Sequence, residues 1–169
     1  TEFIGLAGGS FAAVYGVASA GVFDIKMRVF DANGVGGAEF QVSPVDALSN
    51  RAPQVTLLAN GNLAIVYERI NADNSRDVLG RIMTQAGAAV GGEFALATNT
   101  AADQQRAAID ALPDGGFVAV WEDLSLAGGD NSVSSIKAQR FDAAGVKIGA
   151  ELLVNQQTSG AQARPDIAS

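Results

Sequence analysis

The stretch "DGGFVAVW" (114–121) decides the fold because two further versions of it occur in the chain, "GGSFAAVY" (8–15) and "NGNLAIVY" (60–67). Each version places an aromatic residue four positions after a large apolar one, namely Phe11/Tyr15, Leu63/Tyr67 and Phe117/Trp121. The first residues of these pairs lie 52 and 54 positions apart. Self-similarity at a nearly fixed period is the sequence signature of a repeat architecture.

Further blocks follow each version in the same order and define the repeat. The next block reads "DIKMRVFDANG" (24–34), "DVLGRIMTQAG" (77–87) or "SIKAQRFDAAG" (135–145). Then come "GGAEFQVS" (36–43), "GGEFALAT" (91–98) or "IGAELLVN" (148–155), and the copies close on "RAPQVTLLA", "RAAIDALP" and "RPDIAS". These blocks predict a single repeat domain over 1–169, with repeats at approximately 1–52, 53–106 and 107–164 and with 165–169 beginning a fourth.

Each repeat contains four short segments with strand character. The second segment, for example "FAAVY", is apolar on both faces, whereas the third and fourth are mixed. Radial stacking of blades requires inner strands that are buried on both faces, and four-stranded blades of about 40–50 residues form propellers. The sequence therefore predicts an all-β, β-propeller-like fold with three four-stranded repeats, and a β-trefoil is the alternative.

One segment has a local preference that conflicts with the repeat. "AADQQRAAIDAL" (101–112) is rich in Ala and Gln, which favour helix. Its counterparts contain Pro53, Pro165 and the strand-like run "QVTLLA". Because equivalent positions of a repeat share a structure, we predict a strand at 108–112.

The number of repeats raises the question of closure. Three blades are fewer than the about four to eight of a usual propeller. An open array would expose apolar blade faces and sheet edges, which invite aggregation. We therefore expect further repeats or other copies of the chain to close a ring, as a dimer would by doubling the three blades.

The composition excludes several classes of function. The chain has 18 acidic and 11 basic side chains and a net charge of −7, which disfavours binding to nucleic acid or anionic lipid. It contains no Cys and no His, which removes thiol nucleophiles, the usual triad base and the commonest transition-metal ligand. No apolar run has the length of a membrane span, so no membrane insertion is expected. A hard cation held by oxygen remains possible, with calcium the natural candidate.

The third copy resembles a known type of repeat. The hallmark blocks of that type are "DGGFVVVW", "AQRFDxxG" and "GxEFxVN", followed by "QxxP", and they stand nearly intact at 114–121, 138–145, 149–155 and 162–165. They are similar to the tandem repeats of large secreted bacterial proteins of RTX-like and adhesin-like type. The resemblance implies an extracellular or bacterial cell-surface location and a binding or structural role. It carries no catalytic motif.

The loop "EDLSLAGGDNS" (122–132) of the third copy supplies the candidate metal ligands Asp123, Asp130 and Asn131. Carboxylate and amide oxygens are ligands that calcium prefers. The competing interpretation is a solvated strand connection in which Asp and Asn bond their own backbone. The spacing does not match the EF-hand loop, and the counterparts in the other copies keep fewer of these groups.

Other recurring side chains are interpreted as structural. The aromatic residues that end the second strands are expected to pack between blades rather than to stack on sugars. Three arginines recur beside the junctions and are expected to bond loop carbonyls: Arg51, Arg106 and Arg164. Glu122 and Asp123 are neighbours in a strand, so their side chains point to opposite faces and cannot flank one glycosidic bond.

These observations predict a non-catalytic extracellular or cell-surface module for adhesion, scaffolding or carbohydrate binding, within a larger secreted protein. Its expected partners are a glycan or cell-surface molecule and other copies of itself or further repeats. The alternative is a glycan-active enzyme, a glycosidase or lyase whose propeller is only partly represented, because a pair of carboxylates cleaves glycosidic bonds without His or Cys. No cofactor is expected apart from the calcium considered above.

Overall fold

The computed structural model describes residues 1–168, and within this range the chain forms twelve β-strands and one short 3-10 turn, Ala7–Gly9. The strands make three separate antiparallel sheets of four, and each strand pairs with its neighbours in the sequence. We call these sheets blade 1, blade 2 and blade 3 in chain order. No helix among the described residues is long and apolar enough to cross a membrane.

The strands of the three blades correspond one to one. Blade 1 consists of β1 (Glu2–Gly5), β2 (Phe11–Ser19), β3 (Val22–Phe30) and β4 (Gly36–Gln41). Blade 2 consists of β5 (Ser49–Leu57), β6 (Leu63–Ile70), β7 (Arg76–Met83) and β8 (Ala89–Ala95). Blade 3 consists of β9 (Gln104–Ala111), β10 (Phe117–Asp123), β11 (Ser135–Phe141) and β12 (Lys147–Leu153). The first strands β1, β5 and β9 contact one another in succession and form the inner edge of the molecule.

The blades stack face to face, and one apolar core fills each of the two spaces between them. Leu63, Ile65 and Tyr67 of β6 pack against blade 1. Ala64 and Val66 of the same strand pack against blade 3. Burial of apolar surface is the main stabilising contribution, about 25 cal/mol per Å². A second strand that is apolar on both faces therefore lies at the centre of each blade.

This arrangement confirms the all-β, propeller-like prediction. The three sheets are separate and lie side by side with their inner strands adjacent, whereas a trefoil joins its repeats in a common barrel. The conflict over 101–112 is resolved in favour of a strand, because β9 runs from Gln104 to Ala111. Ile109 packs in the core between blades 2 and 3, and this tertiary burial overrides the helix propensity of Ala and Gln.

Each junction between repeats has the same backbone kink. Ala52, Arg106 and Arg164 have φ angles of 48°, 55° and 57°, in the left-handed region that non-glycine residues rarely adopt. The register shows that Ala52 and Arg106 are equivalent, because Gln54 pairs with Val66 as Ala108 pairs with Val120. Arg51 therefore lies one position before Arg106 in the repeat.

Candidate functional site

The end of β10 and the loop between β10 and β11 (124–134) contain the predicted metal ligands. Asp123, the last residue of β10, is buried, and its carboxylate accepts hydrogen bonds from the Ser125 backbone N–H at 2.8 Å and hydroxyl at 3.0 Å. An Asp that bonds the residue two positions ahead closes a tight turn. Asp123 therefore starts the loop as a turn-forming residue.

Asp130 holds the second half of the loop. Its Oδ1 accepts hydrogen bonds from the Ser132 backbone N–H at 3.0 Å and hydroxyl at 2.7 Å, and its Oδ2 accepts one from the Asn155 amide at 2.8 Å. The bond from the Ser132 hydroxyl is the largest of the effects that hold the pKa of the Asp130 carboxyl below its ordinary value. Asn131 is exposed to solvent.

Lys137 on β11 anchors the middle of the same loop. Its side chain is only 2% exposed, and Nζ donates hydrogen bonds to the carbonyls of Ala127 at 2.8 Å and Gly128 at 3.0 Å. A buried ammonium group requires such acceptors, because an uncompensated charge in the interior is costly. The loop is thus attached to the sheet at its beginning, middle and end.

We tested whether the predicted ligands fit a cation in these positions. Calcium takes about six to eight oxygen ligands. The carboxylates of Asp123 and Asp130 are already occupied by serine donors, and residues 1–168 contain no group of three or more His, Cys, Asp or Glu that could hold a metal. These contacts favour the structural interpretation of the loop, and calcium binding by Asp123, Asp130 and Asn131 stays a prediction.

A tyrosine, a carboxylate and a cation form a cluster in blade 2. Glu93 accepts hydrogen bonds from the Tyr67 hydroxyl and, at 2.9 Å, from Arg69. Tyr67 is fully buried between blades 1 and 2, as the sequence predicted. Burial, and secondly the bond to Glu93, raise the pKa of Tyr67 far above its ordinary value.

Blade 1 repeats the cluster in a more exposed setting. The Glu39 carboxylate accepts hydrogen bonds from the Tyr15 hydroxyl at 2.7 Å and from Lys26 at 2.6 Å. Tyr15 is half-buried on the outer face of blade 1, so within the described residues the prediction of packing between blades is wrong for this tyrosine. In blade 3, Trp121 takes the place of the tyrosine and is fully buried against blade 2, and its Nε1 has no hydrogen-bond partner among the described residues.

A cleft of about 390 Å³ opens at the inner edge of blades 2 and 3, and no motif in the sequence indicated it. Its wall is formed by β5, β9, the end of β6 and the segment after blade 3. The lining residues are Ala52, Gln54, Glu68, Arg106, Ala107, Ala108, Arg164, Pro165 and Asp166. The cleft therefore presents amide, guanidinium and carboxylate groups above small apolar side chains.

Two buried glutamates at equivalent positions support this cleft. Glu68 Oε2 pairs with Arg51 Nε at 3.1 Å, and Glu68 Oε1 accepts a hydrogen bond from the Arg106 backbone N–H at 2.7 Å. Glu122 Oε2 pairs with the Arg106 guanidinium at 2.6 Å. The prediction that Arg51 and Arg106 bond loop carbonyls is wrong, because each finds a carboxylate on the neighbouring strand. The signal in the sequence was a Glu that directly follows the aromatic residue of the second strand.

Comparisons with known proteins identify the fold. No protein-family model matches the chain, and no curated protein sequence matches it either. Among solved structures, it is similar to an α-L-arabinanase of Penicillium chrysogenum complexed with arabinobiose, with a TM-score of 0.58 and 14% sequence identity. The match covers 90% of this chain and 48% of the arabinanase, so the chain spans about half the length of that protein. At this identity the likeness supports the fold alone.

Proposed function

We propose that the chain is a non-catalytic carbohydrate-binding module of an extracellular or bacterial cell-surface protein, with the sugar held in the cleft between the inner strands. The observation that carries the proposal is the lining of this cleft, where Gln54, Arg106, Arg164 and Asp166 surround one open space. Sugar hydroxyls both donate and accept hydrogen bonds, so they require donors and acceptors side by side.

The charge pattern of the cleft favours a neutral or weakly charged ligand over a strongly anionic one. Two guanidinium groups, Arg106 and Arg164, stand beside two carboxylates, Glu68 and Asp166. Arg164 and Asp166 are exposed, so they are accessible to a ligand. The balanced charges and the net charge of −7 of the whole chain disfavour polyphosphates and nucleic acid.

The ion pairs and hydrogen bonds of the two buried glutamates favour sugar binding over hydrolysis. A glycosidase requires one protonated carboxyl group and a second carboxylate about 5–10 Å away, both facing the substrate. The oxygens of Glu68 and Glu122 are instead occupied by Arg51, by Arg106 and by a backbone N–H. Such ion pairs fix the geometry of the inner edge and engage both glutamates with donors of the chain itself.

Two further likenesses are consistent with this proposal. The repeat blocks resemble those of secreted bacterial surface proteins, which is the basis for the proposed location. The arabinanase that shares the fold was solved with arabinobiose, a carbohydrate. Adhesion to a glycan-bearing surface is the role that combines a cell-surface location with carbohydrate binding.

The test is binding of the purified chain to a glycan array, followed by calorimetry with each retained glycan. We expect Arg164→Ala to weaken binding by about tenfold or more, because a hydrogen bond to a charged group contributes about 1.5–3 kcal/mol. Arg140→Ala is the control, since Arg140 is also exposed, pairs with Asp114 at 2.5 Å and lies outside the cleft.

Three results would contradict the proposal. Retention of no glycan would leave scaffolding as the role of the chain. Equal losses in the Arg164 and Arg140 variants would place the ligand elsewhere. Release of shorter sugars from a retained glycan would establish the alternative, a glycan-active enzyme.

A further inference from the structure

The two outer faces of the blade stack carry apolar side chains beside charged ones and are only partly covered within the described residues. The outer face of blade 1, here called the head face, is formed by Phe3, Phe11, Ala13, Tyr15, Lys26, Arg28, Phe30 and Glu39, and the Arg28 guanidinium lies 5.3 Å from the centre of the Phe30 ring. The outer face of blade 3, here called the tail face, is formed by Ala108, Val118, Val120, Ala138, Ile148 and Leu152, with Asp110, Glu122 and Arg140 among them. Phe3, Ile148 and Leu152 are 64%, 43% and 57% exposed.

Equivalents of these two faces already pack on each other twice inside the chain. Blade 2 places its Leu63 and Tyr67 side on blade 1, and blade 3 places its Phe117 and Trp121 side on blade 2. The head face carries Phe11 at the corresponding position. In each interface, one blade therefore contributes the equivalent of the tail face and the next blade contributes the equivalent of the head face. The two outer faces of the stack, one head face and one tail face, are of the same two kinds.

A stacked pair of phenylalanines makes this equivalence specific. In blade 3 the rings of Phe117 and Phe141 stack at 4.9 Å with an interplanar angle of 7°, and Phe94 of blade 2 packs against both. In blade 1 the rings of Phe11 and Phe30 stack at 4.8 Å with an angle of 5°. The first pair is buried by the neighbouring blade, whereas the second is only half-buried.

The side chain that covers such a pair also recurs. Phe40 on β4 and Phe94 on β8 are equivalent, and each lies against the glycine of a turn in the next blade, Gly87 and Gly145 respectively. A Cβ atom added to either glycine would overlap the ring. Leu152 on β12 is the third equivalent, since it pairs with Ala138 as Phe94 pairs with Gly80.

The third equivalent glycine has an open environment. Gly34 has a φ angle of 79°, close to the 84° of both Gly87 and Gly145, and no atom of the described residues lies within 4 Å of a Cβ placed on it. Within the described residues, Leu152 thus has no turn glycine to contact, unlike Phe40 and Phe94. Gly34 in turn has no such side chain lying against it. The two groups that could complete this contact therefore lie in blade 3 and blade 1 of the same chain.

We propose that the tail face of one copy of this chain binds the head face of a second copy, with Leu152 covering the Phe11–Phe30 pair and the turn at Gly34. The contact is heterologous, since different surfaces meet, and such contacts close into rings when the rotation permits. Two copies bring the number of blades within the about four to eight of closed propellers. This inference concerns assembly and does not depend on carbohydrate binding.

One segment of the chain competes with the incoming copy. Ile167 packs on Val120 and Ala138 of the tail face, where the first strand of a following blade would lie. In the second copy that strand is β1, so residues 165–168 must move aside when the copies associate. Pro165 and Asp166 then leave the cleft, and the cleft as described above belongs to the single chain. The backbone bridge between Ser134 and Ala161 lies before this point and stays in place.

The test is the mass and the dissociation constant of the full chain, measured by light scattering and analytical ultracentrifugation over a concentration series. We expect a species of twice the 17.2 kDa of one chain. Leu152→Asp on the tail face and Gly34→Asn on the head face should each weaken association by about tenfold or more, since asparagine tolerates a positive φ but adds a side chain at the contact. Ile167→Ser should strengthen association, because it loosens the competing segment.

Matched controls separate the interface from general effects. Val45→Asp replaces an apolar residue that is 78% exposed outside both faces, and Gly21→Asn adds a side chain at a φ of 86° where nothing lies within 4 Å. Both should associate like the parent. A mixture of the Leu152 and Gly34 variants should form a one-to-one complex, because one intact head face and one intact tail face remain.

The outcomes decide the proposal in either direction. A parent chain that stays monomeric at all concentrations overturns it. Association that survives both the Leu152 and the Gly34 substitutions, or that is lost equally in the controls, also overturns it. Loss of association in only one of the two variants would show that like faces meet, and a mixture of the two variants that remains monomeric would likewise contradict head-to-tail binding.

Discussion

Blade 1 and blade 2 carry the same pattern of residues, but the pattern has different physical consequences in the two blades. The strand β6 is buried on both faces, whereas one face of β2 is half open. Tyr67 and Tyr15 both donate a hydrogen bond to a glutamate on the outermost strand, yet only Tyr67 is removed from solvent. The difference shows that coverage by a neighbouring blade, and not the residue itself, sets what each repeat position contributes to stability.

The largest effect should come from the stacked phenylalanines. Phe117→Ala in the covered pair should lower the free energy of unfolding by about 3–5 kcal/mol, because a fully buried ring is lost and a cavity remains. Phe11→Ala in the open pair should cost about half of this or less. Urea unfolding at a concentration where the chain is monomeric measures both, and equal costs would refute the role of blade coverage.

A middle-sized effect should distinguish the two tyrosines. Tyr67→Phe should cost about 1–3 kcal/mol, since partly buried Glu93 loses the donor that the fully buried Tyr67 supplies, and Tyr15→Phe should stay within about 0.5 kcal/mol. The raised pKa of Tyr67 also predicts stability that is present below pH ~10 and is lost as pH rises above that value, because only the unfolded state ionises readily there.

The control for this pair is the shape of the alkaline unfolding profile. Tyr67→Phe should remove most of the stability loss above pH ~10, and Tyr15→Phe should remove much less of it. Parallel profiles for the two variants would show that Tyr67 is not protected by the neighbouring blade.

The smallest effect should separate the loops of blades 2 and 3. Asp73 and Asp130 each bond the serine two positions ahead, and these bonds hold the pKa of both carboxyls below the ordinary value. Their stabilising effect is present above pH ~4 and is lost as pH falls through the lowered pKa. Because only Asp130 is buried, Asp130→Asn should flatten the acid unfolding profile more than Asp73→Asn.

Calcium added to the same samples tests the remaining metal prediction at 122–132. A ligand of the native state raises the melting temperature. Because Asp123 and Asp130 are occupied by serine donors, we expect no rise. A rise in the parent chain that is absent from Asp130→Asn would instead establish a calcium site at this loop.

The periodicity of the sequence was sufficient to predict the fold. Positions such as Phe11, Leu63 and Phe117 repeat at a nearly constant spacing, and a repeat of this kind constrains every copy to one structure. The same argument correctly assigned a strand at Ile109 against its helical surroundings. Comparison of the repeats gave the correct structure because the local propensities of the separate copies average out, and these propensities are weak compared with the effect of burial.

The candidate site could not be predicted in the same way. The cleft depends on how Glu68 and Glu122 reach side chains and backbone of the first strands, and no spacing rule states which arginine a buried carboxylate selects. The loop with Asp130 resembled a metal site because its residue types are those of calcium ligands. Their serine and asparagine partners, including Asn155 from another part of the chain, became visible only in three dimensions.

The connection between the second and third strands of each blade has a consequence for how such chains change over evolutionary time. It runs through 20–21 in blade 1, 71–75 in blade 2 and 124–134 in blade 3, while the strands on either side keep their register. Insertions are tolerated in this connection because they do not change which side chains of the flanking strands point to each face of the blade. One extra residue at the kink of Ala52 or Arg106 would turn every following side chain of that strand to the opposite face. New binding loops can therefore be acquired at one end of each blade, whereas the junctions between blades permit no change in length.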